Sequence, residues 1–125
     1  MITINTESRE FNEIEKYLMT ISPAIISIKD VEDGTKINVD GIMTFTDEKE
    51  NGESAEIMSI ITSDKKVYSC QSATFKRSIN DISKIMNGKP FTVVKTSGKT
   101  KAGRNFINCT LDLDSVGCKE CEVNI

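Results

Sequence analysis

The chain has 125 residues and a formal net charge of −3, with 38% apolar residues, 28% charged residues, and neither histidine nor tryptophan. This length suits one domain with a single core, and no apolar run approaches the roughly 18 residues that a membrane-spanning helix requires. The N-terminus has no basic region followed by an apolar stretch, so we predict no signal peptide and a cytoplasmic protein. Its 4 cysteines are then expected to be reduced thiols.

Charge is strongly segregated along the chain. Residues 1–64 carry 5 basic and 14 acidic side chains, residues 65–104 carry 10 basic and 1 acidic, and residues 105–125 carry 1 basic and 4 acidic. A charge run is often only a solvated face, but these basic residues concentrate around one segment near the C-terminal end. Their concentration favours a binding surface.

The N-terminal part predicts an extended segment at residues 2–5 and a helix over residues 8–21, where apolar side chains recur at helical spacing. Pro23 ends this helix, and residues 24–28 form a short apolar segment that fits a strand. We interpret the helix as a packing or dimer surface. Residues 1–33 are therefore predicted to be a helical extension packed on the rest of the protein.

The middle of the chain predicts a run of strands. Residues 35–46 alternate at period two around Gly41, as in a long strand that bends at a bulge or kink. Further strands are predicted at residues 56–62 and 67–70, followed by a helix over residues 74–87.

Residues 90–113, PFTVVKTSGKTKAGRNFINCTLDL, predict a β-hairpin with a long flexible loop from residue 97 to residue 104. The loop contains Lys99, Lys101 and Arg104, and Lys95 lies just before it. A flexible cationic loop between two strands suits a phosphate backbone.

The order of these elements predicts the fold class. Three strands, a helix and two strands fit a mainly β, five-stranded OB-fold barrel over residues 34–113, with one helix between strands 3 and 4. Residues 114–125 are predicted to be a flexible C-terminal tail.

Three stretches carry a family resemblance: GTKINVDGIMTF, the D-x-K-V-Y-S sequence that runs into S-x-T-F, and K-T-S-G-K-x-K-x-G-R-x-F-I-x-C-T-L. They resemble the small single-stranded DNA-binding proteins of tailed bacteriophages, including phages that replicate by protein priming. The resemblance covers about residues 34–113. It implies an OB-fold that coats single-stranded DNA during phage replication without catalysis, in the host cytoplasm if the protein is phage-encoded.

Sequence-tolerant binding of single strands requires cations along the backbone and aromatic faces on which bases stack. The predicted DNA-binding residues are Phe45, Lys65, Lys66, Tyr68, Lys95, Lys99, Lys101, Arg104 and Phe106. For Tyr68, stacking on a base and packing inside the barrel remain open alternatives. Phe45, Phe91 and Phe106 also fit core positions, because only one side of each strand can face the groove.

Cys118 and Cys121 form a C-x-x-C pair in the predicted tail. Structural zinc requires four ligands, and with no histidine only Cys109 offers a third. We therefore predict no metal, no cofactor and two free thiols.

Two hypotheses of function remain open. In the first, the protein coats single-stranded DNA without strong sequence preference and contacts replication proteins. In the second, it is an OB-like protein-interaction module, a phage factor that docks on a host or replication protein through its acidic N-terminal half. No histidine, clustered carboxylate motif or phosphate-binding loop is present, so we predict that the protein is not an enzyme.

Overall fold

The computed structural model describes residues 2–113, which form a β-sheet and two α-helices. In chain order the elements are β1 (Ile2–Glu7), α1 (Glu13–Thr20), β2 (Ile26–Ser27), a short 3-10 helix (Ile28–Asp30), β3 (Lys36–Glu48), β4 (Ser54–Thr62), β5 (Val67–Cys70), α2 (Ala73–Ile85), β6 (Phe91–Lys99) and β7 (Asn105–Leu111). No helix within residues 2–113 is both long and apolar enough to cross a membrane.

The sheet has seven strands and curls into a half-barrel around β3. Its order is β2-β5-β4-β3-β6-β7, and β1 also pairs with β3. The first part of β3 pairs with β6, its later part pairs with β1, and β4 runs antiparallel along its other edge. β2 and β5 are the parallel pair. One strand thus serves both halves of the curl.

β3 serves both halves because it bends at Asp40 and Gly41. The register with β4 shifts between Val39 and Gly41, which confirms the bend predicted at this glycine. Packing also requires the glycine, since a Cβ at Gly41 would lie 2.6 Å from Cε1 of Phe11. The ring of Phe11 therefore lies directly on the bend.

The strands at the centre of the sheet are buried on both faces. The inner core lies inside the curl and includes Ile42, Ile60 and Tyr68 of the sheet with Phe75 and Ile79 of α2. The outer core lies on the opposite face and consists of Phe11, Met19, Met43, Phe45, Ile61 and Val67. The N-terminal segment thus covers the outer face of β3, β4 and β5.

The prediction of a mainly β protein is confirmed, and the curled sheet is consistent with an OB-like barrel. The predicted strand count was wrong, because the sheet has seven strands rather than five. The position of the helix was also wrong, since α2 follows the fifth strand of the chain. Both differences have one cause: β1 and β2 lie where an extended segment and a short strand were predicted, but they join the main sheet by pairing with β3 and β5 instead of remaining in an extension outside the barrel.

Helix α1 is shorter than predicted because its N-cap is Asn12. The Asn12 side chain accepts from the backbone N–H of Glu15, and the Glu15 carboxylate accepts from the Asn12 N–H, which completes a capping box. The helix thus begins at Glu13 rather than at residue 8. The division into an extension (1–33), a barrel (34–113) and a tail (114–125) stays a prediction, and the tail lies outside the described residues.

Candidate nucleic-acid interface

The hairpin of β6 and β7 projects beyond the rest of the sheet. β6 pairs with β3 only up to Val94, opposite Lys36, whereas it pairs with β7 as far as Lys99, opposite Asn105. The backbone of Lys95 still bonds to Thr35 and Gly34. The remaining four residues of β6 extend about 13 Å further, at about 3.3 Å per residue.

The tip of this hairpin is a tight turn. The Thr100 N–H donates to the Arg104 carbonyl at 2.9 Å, and the Gly103 N–H donates to the Thr100 carbonyl at 2.9 Å. Gly103 has φ +83°, as expected for the left-handed residue that ends a three-residue hairpin loop. The loop is therefore shorter than the predicted 97–104, because the strands continue to Lys99 and resume at Asn105.

Phe106 lies on the glycine opposite it in the hairpin. Gly98 and Phe106 are directly paired, and a Cβ at Gly98 would lie 2.7 Å from Cζ of Phe106. The ring thus packs across the Gly98 backbone, and the residue remains half-buried. Sequence reasoning missed Gly98, although a glycine opposite an aromatic residue in a hairpin is a recognisable signal. The arrangement places an aromatic ring on a cationic hairpin.

The three cations near the tip are available to a ligand. Lys99, Lys101 and Arg104 are exposed, and their side chains make no hydrogen bond or ion pair within residues 2–113. Lys66 is also exposed, in the turn between β4 and β5. Because β4 ends and β6 continues past the same end of β3, both basic turns lie at one end of the sheet.

The side chain of Lys95 is buried and paired within the protein. Its side chain is only 6% exposed, and its Nζ donates to the Val31 carbonyl at 2.6 Å and pairs with Asp33 Oδ1 at 3.1 Å. The ammonium therefore holds the loop before β3 against β6 and presents no free charge to a phosphate in this structure. Alternation along β6 places Lys95 on the same face as Val93 of the inner core.

Lys65 is also paired, through a buried carboxylate. Its Nζ lies 3.2 Å from Oε2 of Glu15, an atom that also accepts from Nη2 of Arg9 at 2.7 Å. Hydrogen bonds from Arg9 first, then from the Asn12 backbone, lower the pKa of Glu15 to about 2. Arg9 in turn pairs with Asp40 at 3.0 Å, so this network joins α1, the bend of β3 and the β4–β5 turn.

Two of the predicted aromatic platforms are buried. Phe45 is 2% exposed in the outer core, and Tyr68 is 8% exposed in the inner core. Neither ring offers an open face in this structure. Among the three predicted aromatic residues, Phe106 is the half-exposed one.

The described cysteines are core thiols. Cys70 and Cys109 are both buried in the inner core, and burial raises the pKa of Cys109 to about 12. No group of three or more metal-ligating side chains is found within residues 2–113. Cys118 and Cys121 lie outside these residues, so the prediction of no metal remains a prediction.

A curled β-sheet that carries a basic hairpin with an aromatic ring is typical of proteins that bind single-stranded nucleic acids. A family model described as phage single-stranded DNA-binding protein matches residues 2–114. The chain therefore belongs to this family, which confirms the resemblance and extends it over the N-terminal segment. No curated protein and no solved structure gives a significant match to the chain.

Proposed function

We propose that the protein binds and coats single-stranded DNA without strong sequence preference during phage DNA replication, in the host cytoplasm and without catalysis. The observation that carries this proposal is the projecting hairpin, with three cations that are unpaired within residues 2–113 and a half-exposed ring, in a member of a single-stranded DNA-binding family. Replication proteins are proposed as further partners.

The hairpin suits this function for two physical reasons. Phosphates that contact Lys99, Lys101 and Arg104 release condensed counterions, which favours binding to any sequence. Phe106 offers a ring on which a base stacks, and stacking tolerates every sequence because each base has a π face. The same hairpin thus supplies both backbone contacts and base contacts.

We further assign β3, β4, β5, β6 and β7 to the five strands of an OB-fold, with α2 between the third and fourth strands of that set. In OB-folds the face of strands two and three and the loop between strands four and five bind oligonucleotides. Here Met19, at 0% exposure, and Phe11, at 3%, cover the corresponding face of β4 and β5. The single strand is therefore directed to the hairpin and to Lys66 at the same end of the sheet.

The salt dependence of oligo-dT binding tests this function. Changing Lys99, Lys101 and Arg104 together to Ala removes three phosphate contacts, each worth about −0.7 in the slope of log K against log salt, so the slope flattens by about 2. Fluorescence titration at several salt concentrations measures it. The matched control changes Lys49, Lys84 and Lys89 to Ala, which removes the same charge from other exposed positions and should leave the slope unchanged.

Two results contradict this proposal. If the triple hairpin variant binds with an unaltered slope, the phosphate contacts lie elsewhere on the protein. If the unmodified protein does not bind oligo-dT at low salt, single-stranded DNA is not its partner.

A second candidate function is protein docking. Ile14 and Tyr17 of α1 and its C-cap residue Ile21 form a row and are 71%, 49% and 62% exposed, respectively. Such a row at helical spacing favours contact with another protein, such as a host or replication protein. Failure to bind oligo-dT, together with loss of a partner complex in an Ile14→Ser, Ile21→Ser variant, would favour this function instead.

A further inference from the structure

A cavity of about 310 Å³ lies where the curled sheet remains open. It is lined by Ser27, Lys29, Ser69, Cys70, Gln71, Ser72 and Ile107. These residues come from β2 and the short helix after it, from the junction of β5 with α2, and from β7. The cavity therefore lies between the two end strands of the sheet.

The cavity exists because β7 does not pair with β5 within residues 2–113. The short parallel strand β2 takes that edge of β5 instead. A hydrogen bond from the Ser72 hydroxyl to the Ile107 carbonyl, at 3.5 Å, joins β7 to the start of α2 below the opening. The opening is thus bounded on one side by β2, which pairs with the edge of β5, and on the other by the hydrogen bond between Ser72 and Ile107.

We propose that this cavity binds one nucleotide of the single strand, with the phosphate on Lys29 and the base against Ile107 and Gln71. This inference rests on the proposed function and adds a second contact site to the hairpin. At 310 Å³ the cavity is at the small end of the range for ligand sites, about 300–1,000 Å³, so its size suits a mononucleotide.

The chemistry of the lining fits a nucleotide. Lys29 is the one lining side chain that carries a charge at neutral pH, because burial raises the pKa of the Cys70 thiol. Ile107 supplies an apolar surface, and an amide such as that of Gln71 both donates and accepts hydrogen bonds, as the edge of a base requires. Lys29 and Gln71 are exposed, and neither makes a side-chain hydrogen bond or ion pair within residues 2–113.

Ile107 of the hairpin lines the cavity. In the register of β6 and β7, Lys99 lies opposite Asn105 and Ser97 lies opposite Ile107, all on one face. Two residues along a strand span about 7 Å. A single strand that contacts Lys99 near the tip and follows this face therefore reaches Ile107 at the edge of the cavity. Asp30 follows Lys29 in sequence but does not line the cavity.

Single substitutions in the full chain test the inference with fluorescent oligo-dT. Lys29→Ala should flatten the salt slope by about 0.7, the value for one phosphate on a single strand. Gln71→Ala should weaken binding by about threefold to tenfold, as for one hydrogen bond, without changing the slope. Both positions are exposed, so the melting temperature should stay the same. Lys49→Ala, in the connection between β3 and β4, removes one charge as a control and should bind normally.

Crosslinking supplies a second measurement. An oligonucleotide with 5-iododeoxyuridine should crosslink to residues 69–72 as well as to residues 104–107 of the unmodified protein. If Lys29→Ala and Gln71→Ala bind like the unmodified protein, or if crosslinks map to the hairpin alone, the cavity does not bind a nucleotide. The proposed function then still stands, provided that the triple hairpin variant flattens the slope. If the unmodified protein does not bind oligo-dT at all, the proposed function itself is wrong.

Discussion

Replacing Glu15 by Gln tests the buried ion-pair network that fixes α1 to the sheet. Glu15 is 5% exposed, and its Oε2 lies 2.7 Å from Nη2 of Arg9 and 3.2 Å from Nζ of Lys65. Gln keeps the shape of the side chain and is accepted at this position of a capping box. Glu15→Gln therefore removes the charge and leaves the cap of α1 in place.

The size of the effect follows from the pKa of Glu15. The network lowers this pKa from 4.5 to about 2, mainly through the hydrogen bond from Arg9. At about 1.4 kcal/mol per pKa unit, this shift corresponds to roughly 3–4 kcal/mol of stabilisation of the folded state. Arg9 and Lys65 are 34% and 54% exposed, so solvent screening reduces the expected loss to about 2–3 kcal/mol at pH 7.

The pH dependence distinguishes charge pairing from packing. Because the folded state lowers the pKa of Glu15, its stabilisation is complete above about pH 4.5 and is lost as the pH falls towards 2. Urea unfolding of the unmodified protein and of Glu15→Gln, at pH 7, 4 and 2.5, should give a difference that shrinks at acid pH. Glu13→Gln, at an exposed position in the same turn, should change stability by less than about 1 kcal/mol. An equal difference at pH 7 and pH 2.5 would refute the electrostatic explanation.

Three further predictions concern the rings and the thiols. Phe106→Ala should weaken oligo-dT binding by about 1–3 kcal/mol with little change in melting temperature. Gly98→Val should weaken binding by a similar amount, because the valine side chain displaces the ring of Phe106. Normal affinity in both variants would exclude stacking on Phe106. Tyr68→Ala should lower the free energy of unfolding by about 3–5 kcal/mol, as for a buried ring, and a loss of affinity without a loss of stability would restore Tyr68 as a platform. Cys118→Ser with Cys121→Ser should leave the melting temperature unchanged and the purified protein free of stoichiometric zinc, and metal lost only in the variant would contradict this.

The central strands could be predicted from the sequence because local signals and tertiary structure agree there. β3, β4 and β5 have β-branched residues, alternation and short turns, and α2 has helical spacing and a serine, Ser72, as its N-cap. The sequence also predicts an extended segment at residues 2–5 and a short strand at residues 24–28, but it does not predict that β1 and β2 join the main sheet. β2 has two residues, and most of β1 is exposed, so both are strands only because β5 and β3 offer them an edge.

The candidate site was predictable in composition but not in the pairing of its charges. The sequence indicates that the hairpin is cationic. It does not indicate that Asp33 pairs with Lys95 and with the hydroxyl of Ser97, which lie more than sixty positions later in the chain. These contacts depend on how β6 meets the loop before β3. It also does not show which face of β5 is buried, since both faces are covered and the polar alternation that marks a solvent face is missing.

The N-terminal segment accounts both for the buried outer face of the sheet and for the pairing of Lys65. Its Phe11 and Met19 cover the outer face of β4 and β5, and its Glu15 pairs with Lys65 beside that face. The family model matches from residue 2, so the match includes the segment that carries this cover. A protein that fills this face with its own core can offer a single strand only the surfaces that remain. We expect the exposed cations at three of those surfaces, the projecting hairpin, the turn at Lys66 and the opening beside Ile107, to change DNA affinity when they are replaced.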